Sequence, residues 1–323
     1  MNVNGSLMGL AIAALALASG VAFPQSFPTK PVRFVVPYPA GGVVDIIARS
    51  IGERATITLG QQVIVENRIG AASNIGTEAV AQSTPDGHTL VVASPAHTAN
   101  VSLYPKLSWH PIRSFEPVVM VGVIPNVIVV HPSVPAKSLA ELVALAKARP
   151  GRLNYASAGS GSSVHLASEM LKQSAGFFML HIPYRGQPEA TTAIVTGEVQ
   201  MMALTMALAK SRIDSGQLRG LAVTTPKRSS AMPSLPTVAE SGYPGFDVST
   251  WFAFLAPAGT PAEVVRRLNA DLGAAIRHAE VEKRLRAVGA ELNPGTSQDL
   301  KRFLEADVER WARVIRQAGI KLD

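Results

Sequence analysis

The chain has no cysteine among its 323 residues. A disulfide scaffold, a thiolate zinc site and a cysteine nucleophile are therefore all excluded. Dense runs of like charge are missing too. Lys and Arg number 30 against 23 Asp and Glu, giving a formal charge of +7 and a pI of about 9.8. These cations are dispersed, so the excess reads as solubility or as a general attraction for anions, and nucleic acid is not an expected partner. Past residue 22 no apolar stretch is long enough to span a bilayer. Neither an internal repeat nor a later low-complexity segment is present. What remains is a globular composition, 47% apolar and 16% charged, with enough chain for one large or two medium domains.

The N-terminus stands apart. "LMGLAIAALALASGVA", Leu7–Ala22, carries no charge and is too short for a comfortable membrane span. Gly20 and Ala22 are small residues that suit cleavage before Phe23, so residues 1–22 read as a secretory signal. No Lys or Arg precedes the apolar run, which leaves a membrane anchor as the alternative. The mature chain is expected in the periplasm.

Strand and helix patterns then alternate. "VRFVV", "QQVIVE" and "HTLVVA" are strand-like, with helical segments between them and the turn "TPDGH" at Thr84–His88. The middle repeats the pattern, through "PNVIVVHP", a helix capped by Ser138 and Glu141, "LNYAS", a helix from about Ser162, "FMLHI", "VQMMAL" and "LRGLAVTT". Such alternation predicts parallel strands with crossover helices. The C-terminal part reads as helical. Thr260-Pro261-Ala262-Glu263 offers an N-cap, an N1 proline and an N3 acid, and Thr296 and Asp299 repeat the capping spacing before a helical stripe containing Leu304 and Trp311. Two strand-like segments, near Val121–Val127 and Val248–Phe254, are expected to join two lobes as a hinge. Ligands favour such interfaces and the C-terminal ends of strands.

Four segments have binding chemistry. "VVPYPAGGVVDIIAR" places prolines and glycines between a strand and a helix. There the unpaired helix N–H groups and the positive dipole end favour an anion, and glycine lets backbone approach it. "NYASAGSGSSVHLASEM" repeats strand, Gly/Ser loop, helix, with hydroxyls at Ser157, Ser160, Ser162 and Ser163 and approachable backbone at Gly159 and Gly161. It is no nucleophile elbow, since Ala158 and Ser162 flank Ser160 where glycines belong, and it lacks the dinucleotide and P-loop patterns. His165 and Glu169 share a helix face but have no third metal ligand. "HIPYRG" presents Tyr184 and Arg185, the latter able to bind a carboxylate bidentately. "ASPAHTANV" offers Ser94, His97 and Thr98 toward the same cleft. Hydroxyls, amides and one arginine suit binding better than catalysis.

At these residues the chain resembles the Bug family, the extracytoplasmic solute-binding receptors of tripartite tricarboxylate transporters. The resemblance runs through "KPVRFVVPYPAGGVVDIIAR", "GQQVIVENRIGAASNIGTEAVAQSTPDGHTL", "LNYASAGSGSSVHLASEM", "HIPYRG" and "WFAFLAPAGTPAEVVRRLNADL". It implies an α/β, two-lobed periplasmic-binding-protein fold, type II-like, with two hinge crossings and the ligand between the lobes. Lobe 1 is expected over 23–125 and 250–323, lobe 2 over 126–249. The resemblance also implies a small organic carboxylate as ligand, membrane subunits of a secondary transporter as partners, no cofactor, no metal and a monomeric state. The first lobe's expected ligand-binding set is Tyr38, Ala40, Gly41, Gly42, Val43, Val44, Asp45, Asn74 and Ser94. The second lobe's is Ser157, Gly159, Ser160, Gly161, Ser162, Ser163, His165, Tyr184, Arg185 and Thr205.

The sequence departs from the family pattern in places. Val43 and Val44 stand where a third glycine and a hydroxyl are common, and Leu204-Thr205 where many members carry Asp-Asn. Loss of that acid argues against amino-acid ligands. Lys210 also stands where an apolar residue is usual. A sensor feeding a signalling partner is the competing function. An α/β hydrolase using Ser160 and His165 is a weaker one, lacking an oriented base.

Overall fold

The computed structural model describes residues 27–184 and 186–320. The expected signal segment and Arg185 lie outside them. In chain order the elements are β1 (Val32–Val36), α1 (Val43–Leu59), β2 (Val63–Asn67), α2 (Asn74–Ala81), β3 (Thr89–Ala93), α3 (Ala96–Leu103), β4 (Phe115–Val130), α4 (Leu139–Ala148), β5 (Asn154–Ser157), α5 (Ser163–Ala175), β6 (Leu180–Pro183), α6 (Gln187–Val195), β7 (Met201–Thr205), α7 (Met206–Asp214), β8 (Arg219–Val223), β9 (Ser249–Pro257), α8 (Ala262–Ile276), α9 (Ala279–Ala287), β10 (Glu291–Leu292) and α10 (Ser297–Ala318). The β-branched runs became strands, as their fit to a pleated, buried surface requires.

Ten strands among the described residues form one curled sheet in the order β2-β1-β3-β9-β4-β7-β5-β6, with β8 and β10 also paired to β4. Parallel pairing holds within each half: β1 with β2 and β3, and β5 with β6 and β7. The middle is antiparallel. There β9 runs against both β3 and β4, and β4 runs against β7 and β8. The sixteen-residue β4 belongs to both halves. From Phe115 to Pro125 it pairs with β9, and from Asn126 onward with β7 and β8. The chain returns through Val248, whose N–H donates to Thr224 O at 2.9 Å, and enters β9 at Ser249.

The core is continuous across this junction and largely aliphatic. Ile124, Val127 and Ile128 of β4 pack with Leu204, Phe254 and Leu268. A buried polar node fixes α10. The Asp307 carboxylate accepts from Thr98 Oγ1 at 2.5 Å, Trp251 Nε1 at 2.9 Å, Trp311 Nε1 at 3.1 Å and Arg310. Trp311 is fully buried, as the helical stripe predicted.

Local caps hold with two exceptions. Thr296 and Asp299 make the full capping box. Ser138 Oγ accepts the Glu141 N–H, but the Glu141 side chain reaches back to Lys137 N rather than to Ser138. Thr260 does not cap α8. Its hydroxyl donates to Pro257 O at 2.8 Å, and Pro261 takes the N-cap place. A carbonyl three residues back, left by the end of β9, outcompetes the helix amides for that hydroxyl.

Candidate functional site

Strand register brings the two glycine loops to one place. The first loop follows the C-terminal end of β1, and Ser94 follows the end of the neighbouring β3. Because β9 runs antiparallel to β3 with Ala93 opposite Ala253, Thr250 lies just past the β3 end, on the same edge. In the other half, β5, β6 and β7 are parallel and end at Ser157, Pro183 and Thr205. β4 joins the edges, because Ile124 pairs with Thr250 and Asn126 with Thr205. A side-chain bond closes the junction: Thr250 Oγ1 donates to Ser163 Oγ at 2.9 Å. Strand C-terminal ends from both halves thus converge where β4 changes partners, the position at which open α/β sheets take ligands.

The first loop is built around a glycine and an acid. Gly41 has φ +78°, a conformation that favours glycine, and Gly42 is the extended N-cap of α1. Asp45 is the third residue of α1 and is buried. Its Oδ2 accepts the Gly41 N–H at 2.9 Å and Arg49 Nε at 3.0 Å, and its Oδ1 accepts Asn67 Nδ2 at 2.8 Å. Burial alone would raise this carboxyl, but the bonds from Arg49, Gly41 and Asn67 together hold it below the ordinary value. Asp45 therefore shapes the loop, and its oxygens face the chain's own donors. Ala40 and Gly41 are exposed, Gly42 and Val43 half-buried and Val44 buried. The first-turn amides of α1 have no acceptors within the helix. Tyr38 turns its hydroxyl to Ser94 Oγ at 2.5 Å, with Ser73 beside it, and burial pushes this hydroxyl up despite both bonds.

The second loop repeats the design with other chemistry. Gly161 has φ +80°, Ser162 is the extended N-cap of α5, and His165 is its third residue. The Gly161 N–H donates to His165 Nδ1 at 3.1 Å. Ser162 Oγ donates to Gly159 O at 2.7 Å and accepts from His165 N at 3.4 Å. Ser157 is fully buried. Its Oγ accepts the Gly159 N–H at 3.1 Å and lies 2.6 Å from His181 Nε2. His165 and His181 stack with centroids 4.1 Å apart, and Tyr155 continues the stack 4.8 Å beyond His181. Burial, then His181 and Lys172, push His165 down to about 3. His181 falls to about 4, chiefly by burial. Both rings are neutral at pH 7. Ser160 is exposed, while Ser163 is half-buried and engaged by Thr250.

Other expected residues separate. His97 and Thr98 do not reach the cleft. The His97 ring packs between Trp109 and Phe115 with Nε2 on Pro111 O, and Thr98 serves Asp307, because α3 turns that face into the core. The Tyr184 hydroxyl donates to Glu198 Oε1 at 2.8 Å, and burial with that bond pushes it up to about 12. Thr205 is buried and donates to Gln187 Oε1, while Leu204 is wholly in the core. Asn74 Oδ1 accepts from Asn100 Nδ2 at 2.7 Å. Lys210 makes an exposed ion pair with Asp214, which accounts for a cation on that helix. Ser160 and His165 make no bond to each other. His165 and Glu169 join no metal-ligand group among the described residues. A depression of about 240 Å³ beside Arg113, Phe115 and Lys301 contains none of the loop residues.

Sequence reasoning missed five residues here. Asn67 ties Asp45 to the Tyr38 carbonyl. Asn100 holds both Asn74 and the Ala72 carbonyl. Ser73 lies under Tyr38, Thr250 bridges the halves, and His181 supports Ser157. Ala71, Ala72 and Ser73 all have positive φ, which no local rule foretells for three non-glycine residues in a row. Only Gly70 in front of them signalled a turn.

Comparison with known proteins agrees with this architecture. The family model described as the tripartite tricarboxylate transporter family receptor matches residues 47–320. Protein BugT of Bordetella pertussis is 36% identical over 319 residues, covering 98% of each chain. The solved structure of Rhodopseudomonas palustris Rpa4515 with adipate aligns with a TM-score of 0.81 at 36% identity, over 92% of this chain and all of that one. MatC from the same organism, with bound malate, gives 0.79 at 32% identity, over 90% of this chain and all of that one. The α/β periplasmic-binding-protein fold expected from the sequence is thereby borne out, and the chain belongs to the tripartite tricarboxylate transporter receptor family as a Bug-type solute-binding protein.

Proposed function

We propose that this protein is a periplasmic receptor that captures a small organic carboxylate between two lobes and hands it to the membrane subunits of a secondary transporter. One observation carries the reading. Two glycine loops, each opening a helix, sit on converging strand ends from opposite halves of the sheet, and Thr250–Ser163 joins those halves. The backbone amides of two helix N-termini then supply donors and positive dipole ends for one carboxylate. Lobe 1 comprises 23–125 and 250–323 and lobe 2 comprises 126–249, with the change of β4 partners at Pro125/Asn126 as the supporting observation. Tyr38–Val44 and Ser157–Ser163 provide the ligand contacts. Asp45, His165 and Ser157 hold those loops in shape, and Arg185 adds a cation. Residues 1–22 are the cleaved export signal, and the mature receptor is a monomer.

The ligand lacks an ammonium group. Asp45 is occupied by three donors, Glu169 by Lys172 and Tyr155, and the end of β7 carries Leu204-Thr205 in place of the acid that many members have there. Burying an ammonium without a partner is costly. Relatives solved with adipate and malate make dicarboxylates the first candidates. Calorimetric titration of adipate, malate, aspartate and glutamate tests this. The simple dicarboxylates should bind more tightly than either amino acid. Tightest binding of an amino acid would overturn the ligand class, and no heat from any carboxylate would overturn the receptor reading.

A further inference from the structure

His165 and His181 stack behind the second loop. Their geometry is specific. His165 Nδ1 accepts the Gly161 N–H at 3.1 Å. His181 Nε2 lies 2.6 Å from Ser157 Oγ, and that hydroxyl contacts Gly159 at both its N–H and its carbonyl. Each ring therefore grips one glycine of the loop, His165 directly and His181 through Ser157. A nitrogen that accepts an N–H must be unprotonated, so the His165 proton sits on Nε2. An imidazolium would have no lone pair for Gly161.

The surroundings favour the uncharged pair. The groups facing the rings are Tyr155 of β5, Glu169 and Lys172 of α5, and each ring's own neighbour. The Glu169 carboxylate is already shared by the Tyr155 hydroxyl and Lys172 Nζ, the latter at 2.5 Å. Lys172 also sits 5.1 Å over the Tyr155 ring. A charge on His165 would meet its stacked partner 4.1 Å away and this lysine; at His181 Glu169 offsets part of the cost, and burial still outweighs it.

We propose that His165 and His181 are positioning residues: a neutral imidazole stack that sets the shape of the second loop through Gly161 and Ser157, and so sets its capacity to hold an anion, without touching the ligand. Its consequence for affinity rests on the receptor reading above, and its structural part does not. The class of side chain matters for a physical reason. A carboxylate at position 165 would also accept the Gly161 N–H but would place a negative charge behind an anion site. An imidazole supplies the acceptor without the charge.

The test has a ligand-free arm and a binding arm on the full mature chain. Long-range proton–nitrogen spectra of the wild type at pH 7 should show His165 as the Nε2–H tautomer with Nδ1 accepting. An Nδ1–H tautomer or an imidazolium there would overturn the proposal. Amide exchange then compares His165→Asn, whose Oδ1 falls near the place of Nδ1, with His165→Leu, which keeps bulk but has no acceptor. The Gly161 amide should exchange about ten-fold faster in the Leu variant, the loss of one neutral hydrogen bond, and near the parent rate in the Asn variant. Equal rates in all three proteins would sink the idea even if the Leu variant were merely less stable, because melting curves report stability separately. In the binding arm, adipate affinity should fall about ten-fold in His165→Leu and recover in His165→Asn. If the parent binds no carboxylate, the receptor reading fails while the tautomer and exchange results still decide this one.

Discussion

Gly41 and Gly161 occupy equivalent places in the two halves of the molecule. Their φ values are +78° and +80°, each precedes an extended N-cap residue, and each gives its N–H to the side chain four residues on. The acceptors differ. Asp45 is a carboxylate that also receives Arg49 and Asn67, whereas His165 is a neutral ring supported by stacking on His181. The first half therefore holds its loop with a charge that needs a cation beside it. The second holds its loop with a polar but uncharged group. The backbone geometry required by a helix-opening glycine loop is the same in both, and the group that secures it differs: a cation-paired carboxylate in the first and an uncharged ring in the second.

The largest expected effect separates the two acceptors. Asp45→Leu leaves three donors without their partner, so it should destabilise the fold by on the order of 3 kcal/mol. His165→Leu strands one amide and should cost roughly 1 kcal/mol. Urea unfolding at pH 7 measures both, and equal losses would show that the two anchors are not as different as their partners suggest. The glycines come next. An alanine forced into the left-handed region costs about 1–2 kcal/mol at either site. At Gly161 the added Cβ would also lie 2.9 Å from Leu103 Cδ1, while at Gly41 nothing lies within 4 Å. Gly161→Ala should therefore unfold at lower urea than Gly41→Ala, and the reverse order would mean that Leu103 moves aside freely.

Acid should release the halves in sequence. The folded values of His165 and His181, about 3 and about 4, lie below the ordinary histidine value near 6.5. As pH falls, the unfolded or opened state takes the proton first. The contribution of these rings is thus full above about 6.5 and is lost progressively toward 4 for His181 and toward 3 for His165. Asp45 is also depressed, so its contribution persists down to the ordinary carboxylate range near 3.9 and is lost below it, as pH falls through its lower folded value. Between about pH 6 and 4 the Gly161 amide should lose exchange protection while Gly41 keeps its own. Simultaneous loss would point to global unfolding, to which buried His97, also near 4, would contribute. The smallest effect concerns the bridge between the halves. Thr250→Val removes the bond to Ser163 Oγ, worth about 1 kcal/mol or less, so the adipate dissociation constant should rise by less than about ten-fold. A larger change would make this bond a principal latch.

Much of the candidate site was legible because its signals are local. Gly41, Gly161 and Asp45 announce themselves by residue type and spacing, and so do Ser162, Thr296 and the turn at Asp86–His88, where Asp86 Oδ1 accepts the His88 N–H. What escaped was the set of partners that act across the fold. Asn67 reaches Asp45 from 22 residues away, Asn100 reaches Ala72 from 28, and Thr250 reaches Ser163 from 87. His181 looked like one more residue of a short strand, and Thr260 like an N-cap.

Strand and helix order, the two glycine loops and the family follow from the sequence itself, since hydrophobic period, turn chemistry and capping spacing act within a few residues. Tertiary structure alone decided which side chains secure those loops, that β4 runs unbroken through both halves, and that Asp45 and His165 point inward to the backbone. A hydrogen-bonding group takes the nearest partner that folding brings to it, and for these residues that partner is set by strand register and packing rather than by its neighbours in the chain.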